Sequence, residues 1–383
     1  GVRMIKFLSI LSRYEGAEFS QLEAAELLGA GERTFRRWRQ RHEDAGDAGL
    51  LDRRLGKASG KRVPGDRGAE VEALYNTRYA GFTVKHFHEH LARDHQFAWG
   101  YTWTKRFLQS KGLLAKAKKR GAHRRKRPRR PLPGMMLHQD GSRHEWLGGQ
   151  PACDLIVTMD DATSAIYSAF LVEEEGTAST FRALNEVFGR HGLPLSLYTD
   201  RGSHYFHTPE AGGKVDRTCL TQVGRALDHL GVEHIAACSP QARGRSERVF
   251  HTRQDRLTKE LALAKITTTE AANVFLRDVY IPARNARFAI AAEQESDAFV
   301  AIPGMDLMEI LCVQEERQAG NDNCVSFNRL KLQIPASTLR AHFVKARVKV
   351  RHYHDGTHAI FHGPRCLGRY DQKGAVMEYQ KAA

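Results

Sequence analysis

Residues 239–248 read SPQARGRSER and indicate how the central part of the chain folds. Pro240 disfavours helix in the residue before it, so the preceding apolar run ends here. Gly244 frees the backbone before residues 249–261, whose apolar side chains recur at helical spacing. The stretch therefore predicts a strand end, a turn and a helix with Glu247 in its first turn.

Strand-like and helix-like patterns alternate upstream of this stretch. Strands are predicted at 135–140, 154–160, 165–171, 195–199 and 232–237, and helices at 177–191 and 221–230. The second and third strands are close enough to form a hairpin. This order predicts a mixed α/β sheet with helices on its faces.

Three acids occur on these elements where an active site is expected. Asp140 lies on the first strand, Asp200 at the carboxyl end of the fourth, and Glu247 on the last helix. Open α/β sheets place their sites outside the carboxyl ends of strands. Converging carboxylates need cations, and their hard oxygens favour Mg²⁺ or Mn²⁺. Two such ions can activate an attacking oxygen and stabilise the leaving oxygen of a phosphodiester.

Other interpretations of the acids stay open at this point. Glu247 stands among arginines and could be a solvated ion-pair partner. Asp160 and Asp161 end the second strand and could touch metal, or Asp161 could shape the hairpin turn. The acidic run at 173–175 is predicted to be a solvated loop.

Three blocks, HQD at 138–140, YTDRGS at 198–203 and SPQARGRSER at 239–248, resemble those of retroviral-integrase-type DDE transposases, and most of all the bacterial insertion-sequence group called ISNCY. The resemblance covers residues 135–300 and extends to both flanks. It implies an RNase H-like core with two Mg²⁺ (or Mn²⁺) ions per active site. Asp140 would bridge the ions, and Asp200 and Glu247 would each hold one.

The same resemblance bears on the residues around and beyond Glu247. His251 and Gln254 would contact the DNA end near the scissile phosphate, although they could merely flank the core. Asp200 and Glu247 are separated by 46 residues, more than in retroviral integrases. Residues 204–218 are the predicted insert, a surface loop after the fourth strand.

The N-terminal residues 1–60 predict a helix-turn-helix. Helices are expected at 4–14, 21–28 and 32–41, with Ser20 and Glu23 forming a capping box at the second. In this motif the second helix of the pair enters the major groove. The alternative is a helical hairpin with a solvated basic face. The predicted DNA contacts are Arg33, Arg36, Arg37, Arg39 and Arg41.

Residues 66–115 predict a second helical DNA-binding domain, with helices at 69–79, 83–95 and 102–111. Thr83 and Thr102 are expected at N-cap positions. His86, His88 and His90 alternate and cannot all share one helix face, so the pattern does not favour a metal site.

A basic linker follows at 116–134. Residues 116–130 contain ten lysines and arginines, a density that favours binding to phosphates; a passive linker is the alternative. Together with the arginines around Glu247, the predicted DNA-binding residues are Lys118, Lys119, Arg120, Arg124, Arg125, Lys126, Arg127, Arg243, Arg245 and Arg248.

The C-terminal residues 322–380 predict a small β-barrel. Strands are expected at 324–327, 330–334, 345–352 and 358–361, and the Asp-Gly pair at 355–356 is a hairpin signal. Basic and apolar residues alternate along 345–351, so the barrel is expected to pack on DNA or on a neighbouring subunit, or only to stabilise the fold. Helices are expected before it, at 267–280 and 306–314.

Composition limits the class of protein. Lysines and arginines number 59 against 44 acids, a net charge of +15 that favours a polyanionic partner. The sequence has no apolar run of membrane-spanning length and no secretory leader, and its six cysteines form no CxxC pair. A cytoplasmic protein that works at the bacterial nucleoid is expected, with neither a disulfide framework nor a zinc site.

These patterns predict a multidomain α+β insertion-sequence transposase. Residues 1–115 would bind the terminal inverted repeats of double-stranded DNA, and at least two subunits would assemble on the paired ends. Water would cleave the end, and the freed 3′-OH would attack target DNA. A transcriptional regulator would have no use for the three acids, and a simple nuclease would not need two end-reading domains.

Overall fold

A computed structural model of the chain describes residues 2–52, 62–115, 128–210, 213–237, 256–336 and 340–377. These residues belong to two compact units, residues 1–78 with 98–108 and residues 79–97 with 109–383. The five segments predicted from the sequence have other boundaries and stay predictions. Over the described ranges, none of the helices combines the length and the apolar character needed to cross a membrane.

Three helices form the core of the first unit: α1 (Val2–Glu15), α2 (Gln21–Leu28) and α3 (Glu32–Gly49). The capping box at α2 is confirmed, because Glu23 N donates to Ser20 Oγ at 3.3 Å and Ser20 N donates to the Glu23 carboxylate at 2.8 Å. Phe7 and Phe35 are buried between the helices. The third helix runs past its predicted end at 41, with a kink at residues 45–46.

The next three helices are α4 (Gly65–Asn76), α5 (Val84–Asp94) and α6 (Tyr101–Ser110), of which α5 belongs to the second unit. The predicted N-cap position of Thr83 is confirmed at α5, although its side chain accepts no capping hydrogen bond. The predicted cap at Thr102 is wrong. Thr102 lies inside α6, because that helix begins one residue earlier than predicted.

The second unit contains the predicted mixed α/β sheet. Its strands are β1 (Leu137–His144), β2 (Cys153–Asp160), β3 (Ile166–Val172), β4 (Ser196–Thr199) and β5 (Glu233–Ala236). Their order is β3-β2-β1-β4-β5. The first three strands pair antiparallel, whereas β1, β4 and β5 run parallel.

Helices cover both faces of this sheet. On one face lie α7 (Thr177–His191) and α8 (Gln222–His229), and Phe181, Leu184 and Phe188 of α7 are buried there as predicted. The other face is covered by residues 256–263, helix α9, through Leu257 and Leu261, and by α10 (Thr269–Phe275) through Ala272. The sheet is thus a buried layer covered on both faces.

The predicted helix at 267–280 begins at Thr269 and is interrupted. After α10, residues Leu276–Tyr280 form a π-helical turn and α11 continues as Ile281–Phe288. Asn273 on α10 accepts from Leu171 N at 2.6 Å and donates to Leu171 O at 3.0 Å, so a side-chain amide satisfies the backbone of edge strand β3. Such coverage prevents a sheet edge from pairing with other chains.

Strands dominate the C-terminal part. A short 3₁₀ turn (Leu307–Glu309) precedes β6 (Val313–Gln318), so the predicted helix at 306–314 is wrong. The remaining strands are β7 (Cys324–Phe327), β8 (Leu330–Gln333), β9 (Arg347–His352), β10 (His358–His362), β11 (Arg365–Tyr370) and β12 (Val376–Met377). The hairpin predicted around residues 355–356 joins β9 to β10.

These strands form an open sheet, β12-β11-β10-β9-β6, and a two-stranded ladder, β7-β8. The closed barrel predicted from the sequence is not confirmed, since no ladder among the described residues joins β12 to β6. Glu309 accepts hydrogen bonds from Arg351, Arg369 and the Tyr353 hydroxyl group, the last at 3.0 Å, and so ties the 3₁₀ turn to this sheet.

Candidate active site

The sheet brings two of the three predicted acids together. Parallel strands β1 and β4 pair Leu137 with Leu197 and His138 with Tyr198. The same register, continued by two residues, places Asp140 beside Asp200 at the end of β4. Both acids are half-buried. The carboxylate of Asp200 also accepts from Gly202 N at 2.8 Å, which fixes its orientation in the turn.

Glu175 adds a carboxylate that the sequence did not predict. Burial, followed by the charges of Asp200 and Asp140, raises the pKa of Glu175 to about 7. Its Oε2 lies so close to β1 that a Cβ built on Gly141 would be 2.1 Å away. The expectation of a solvated loop at 173–175 is therefore wrong for Glu175, while the two residues before it are exposed.

Polar side chains behind Glu175 shape this acidic site. Glu175 N donates to Asp154 Oδ2 at 2.8 Å, and the buried Tyr205 hydroxyl group donates to Glu175 Oε1 at 3.4 Å. His204 Nε2 lies 3.7 Å from the same oxygen. Burial lowers the pKa of His204, although Asp200 partly opposes the shift. A neutral imidazole offsets none of the negative charge, so this environment favours a bound cation.

The competing acids at the end of β2 have structural roles. Asp160 accepts from Gly134 N at 3.0 Å and from Thr163 N at 2.7 Å. Asp161 accepts from Arg130 N at 2.8 Å, and its other oxygen lies 2.9 Å from His138 Nε2. Both carboxyl groups are buried. The hairpin turn is therefore stabilised by Asp160 and not, as expected from the sequence, by Asp161. The carboxylate oxygens of both acids already take part in hydrogen bonds within the protein.

The N-terminal arginines differ in their surroundings. Arg33, Arg36 and Arg37 are exposed on α3, and Arg41 is half-buried. Arg39 donates from Nη1 to the Tyr14 hydroxyl group at 2.8 Å and its Nε lies 3.2 Å from Glu43; this side chain is thus engaged inside the first unit.

Several predicted site residues lie outside the described residues, and their roles stay predictions. They are Glu247, Arg243, Arg245, Arg248, His251 and Gln254, and the linker residues Lys118, Lys119, Arg120, Arg124, Arg125, Lys126 and Arg127.

Solved structures that resemble part of this chain include an integrase catalytic core and an intasome. The HTLV-2 integrase catalytic core domain in complex with magnesium, in its trimeric form, covers 37% of this chain and 82% of its own, with 17% identity and a TM-score of 0.29. The simian T-cell lymphotropic virus intasome in complex with PP2A regulatory subunit B56 gamma covers 82% of this chain and 100% of its own, with 13% identity and a TM-score of 0.36.

Sequence relatives give the family. No protein-family model matches the chain. The transposase for insertion sequence IS1202 of Streptococcus pneumoniae is 34% identical over 162 residues, 42% of this chain and 34% of the relative. The y4bF protein of Sinorhizobium fredii (strain NBRC 101917 / NGR234), described as a proposed transposase, is 30% identical over 358 residues, 92% of this chain and 78% of the relative. With this identity over most of both chains, the protein belongs to the same family of transposases, as the sequence predicted.

Proposed function

We propose that this transposase cleaves the ends of an insertion sequence and joins them to target DNA by metal-dependent phosphoryl transfer. The observation that carries the proposal is that Asp140 and Asp200 lie just beyond the paired residues of parallel strands β1 and β4, and that Glu175, which lies against Gly141, is acted on by both charges. Family membership gives transposition in general. The two acids give its chemistry, because a serine or tyrosine nucleophile would not need paired carboxylates.

Asp140 and Asp200 are the described residues that would hold Mg²⁺ or Mn²⁺, with Glu247 as the expected third ligand. Their carboxylate oxygens are the hard ligands that these ions prefer. Bound there, two ions would supply charge stabilisation for an in-line displacement at phosphorus. The Gly202 amide orients Asp200, and the Glu175 carboxyl group lies against Gly141, next to Asp140 in the chain, where it would add a further oxygen beside the ions.

Element ends and target would be double-stranded DNA bound by the basic parts of the chain. Arg33, Arg36 and Arg37 are exposed on α3, the third helix of the chain, and an exposed basic helix suits the major groove. The linker at 116–134 would bind phosphates without reading sequence. At least two subunits would be needed to hold two ends for joining.

The test uses labelled duplexes from the flanks of the gene and a supercoiled plasmid target. Native protein is compared with Asp140→Asn, Asp200→Asn and the control Asp228→Asn, an exposed acid on α8, with and without Mg²⁺ or Mn²⁺. We expect metal-dependent nicking and then joining by the native protein and the control. The two site variants should bind the same duplexes in a mobility-shift assay but produce no nicked or joined DNA.

Three outcomes would contradict the proposal. Strand transfer by the Asp200→Asn variant would show that Asp200 is not required for catalysis. Binding of native protein without cleavage under any metal would favour a transcriptional regulator. Metal-dependent cutting without joining, when both ends are supplied, would favour a nuclease.

A further inference from the structure

Two histidines of α5 and a glutamate of α9 meet inside the second unit, and none of them belongs to the acidic site. His86 and His90 are one helical turn apart, share a face of α5 and are 2% and 3% exposed. Glu260 Oε1 lies 2.7 Å from His86 Nε2 and 3.0 Å from His90 Nε2. All three atoms therefore lie within 4.8 Å of one another.

The donor set and its spacing suit a transition-metal ion. Two imidazole nitrogens and one carboxylate oxygen are ligands of Zn²⁺, at about 2.0–2.2 Å each. Around a tetrahedral ion, such bond lengths separate neighbouring ligand atoms by roughly 3.3 Å. The separations of His86 and His90 from Glu260 are a few tenths of an ångström shorter. Small side-chain rotations would open enough room for the ion.

Asp94 supplies the outer partner that a ligating histidine needs. Its Oδ2 lies 2.8 Å from His90 Nδ1, and Arg93 donates to the same carboxylate at 2.7 and 3.0 Å. Arg93 Nη2 is also 2.9 Å from His90 Nδ1, so Arg93 competes for that nitrogen. When His90 Nδ1–H donates to Asp94, the lone pair of Nε2 faces Glu260, and carboxylates in this outer position fix ligating imidazoles.

A lone pair facing a carboxylate oxygen is repulsive unless a proton or a cation lies between them. Two imidazole nitrogens converge on one oxygen of Glu260, so each Nε2 either carries a proton that it donates to Glu260 or shares a cation with it. A cavity of about 560 Å³ opens beside the cluster and is lined by all three side chains. Solvent can therefore reach a fourth ligand position.

We propose that His86, His90 and Glu260 bind one Zn²⁺ ion that links α5 to α9. The sequence pattern of His86, His88 and His90 does not favour a metal site, because the three side chains cannot all lie on one face of α5. The pair at positions 86 and 90 does share a face, and its third ligand comes from 170 residues away along the chain. The competing occupant is a proton on His90 that makes an ion pair with Glu260.

The experiment measures zinc bound to the full-length protein. The background carries Asp140→Asn and Asp200→Asn, so that the acidic site does not contribute metal. After dialysis against zinc buffered by a weak chelator, bound zinc is counted by elemental analysis, and affinity is measured by competition with a chromogenic chelator. Co²⁺ replacement gives an independent readout, since four-coordinate cobalt absorbs strongly in the visible range.

Glu260→Gln is the main variant, because it keeps the size of the side chain and removes the carboxylate. His88→Ala is the matched control on the same helix, outside the cluster. We expect one zinc per chain in the background and in His88→Ala. Asp94→Asn should weaken binding by roughly 10–100-fold, the usual effect of losing an outer partner, and Glu260→Gln and His90→Ala should weaken it more.

Circular dichroism of each variant shows whether it is folded, and Glu260→Gln is expected to fold because its amide can still accept from both imidazoles. Zinc should also raise the melting temperature of the background protein and leave that of Glu260→Gln unchanged. Less than a stoichiometric amount of zinc in the background protein, or equal zinc binding by Glu260→Gln, would overturn the proposal and leave the proton as the occupant.

Discussion

Gly192 ends α7 at the opposite end of that helix from Glu175, and its replacement by alanine should be costly. Its backbone (φ +96°, ψ −174°) lies in a region that only glycine adopts readily, and strain there costs roughly 1–3 kcal/mol. A Cβ on Gly192 would lie 2.5 Å from Val300 O. The overlap would disturb the two hydrogen bonds that pair Leu193 with Val300, at 2.8 and 2.9 Å.

The expected loss for Gly192→Ala is the sum of these effects. Each disturbed hydrogen bond is worth about 0.5–1.5 kcal/mol, and alanine returns about 0.4–1 kcal/mol by restricting the unfolded chain. We therefore expect a loss of about 1–6 kcal/mol in the free energy of unfolding, with a central value of about 3 kcal/mol. Gly231, which follows α8, has a φ of +69° and nothing within 4 Å of its Cβ position. Gly231→Ala should cost about 1 kcal/mol or less.

Urea unfolding followed by Trp146 fluorescence measures both variants. Trp146 is the tryptophan of the second unit, and the other three, Trp38, Trp99 and Trp103, belong to the first and are changed to phenylalanine. Both glycines belong to the unit that Trp146 reports. Equal losses for the two alanine variants, or a loss below about 1 kcal/mol for the variant at position 192, would refute the steric part of the reasoning.

Three further predictions concern charge and space in the second unit. Glu89→Gln removes the carboxylate that Arg256 binds at 2.6 and 3.1 Å, and both side chains are under 15% exposed. Urea unfolding should show a loss of about 3 kcal/mol in the free energy of unfolding. Burial raises the pKa of Glu309, but hydrogen bonds from two arginines and a tyrosine outweigh it and leave the pKa below 4.5. At a pH above its pKa in the unfolded chain, this carboxyl group stabilises the fold, and the stabilisation is lost as the pH falls through its pKa in the folded protein. Between about pH 5 and about pH 3, the native protein should therefore lose more stability than Glu309→Gln. Gly141→Ala should destabilise the native protein by displacing the carboxylate of Glu175, and the same change should cost almost nothing in a Glu175→Ala background. A double-mutant cycle measures this coupling, and additive losses of stability would contradict the prediction.

The sequence by itself determined most of the local elements and two of the site residues. Apolar periodicity and capping signals act over a few residues, so α2 with its Ser20–Glu23 box, and the burial of Phe181 on α7, were predictable. Asp140 and Asp200 were predictable for a similar reason. Each follows a buried strand pattern, and strands that run parallel bring their carboxyl ends to one edge of the sheet.

Only the tertiary structure decided the features that depend on distant pairing. Strand β6 reads VQEERQ, has no apolar alternation and exists through its ladder with β9. Glu175 lies between β3 and α7. It reaches the acidic site because the strand order β3-β2-β1-β4 lets this connection pass against Gly141 of β1. Glu260 meets His90 across 170 residues of sequence. In each case the stabilising contact lies far along the chain, where propensity and periodicity, which are local, carry no information.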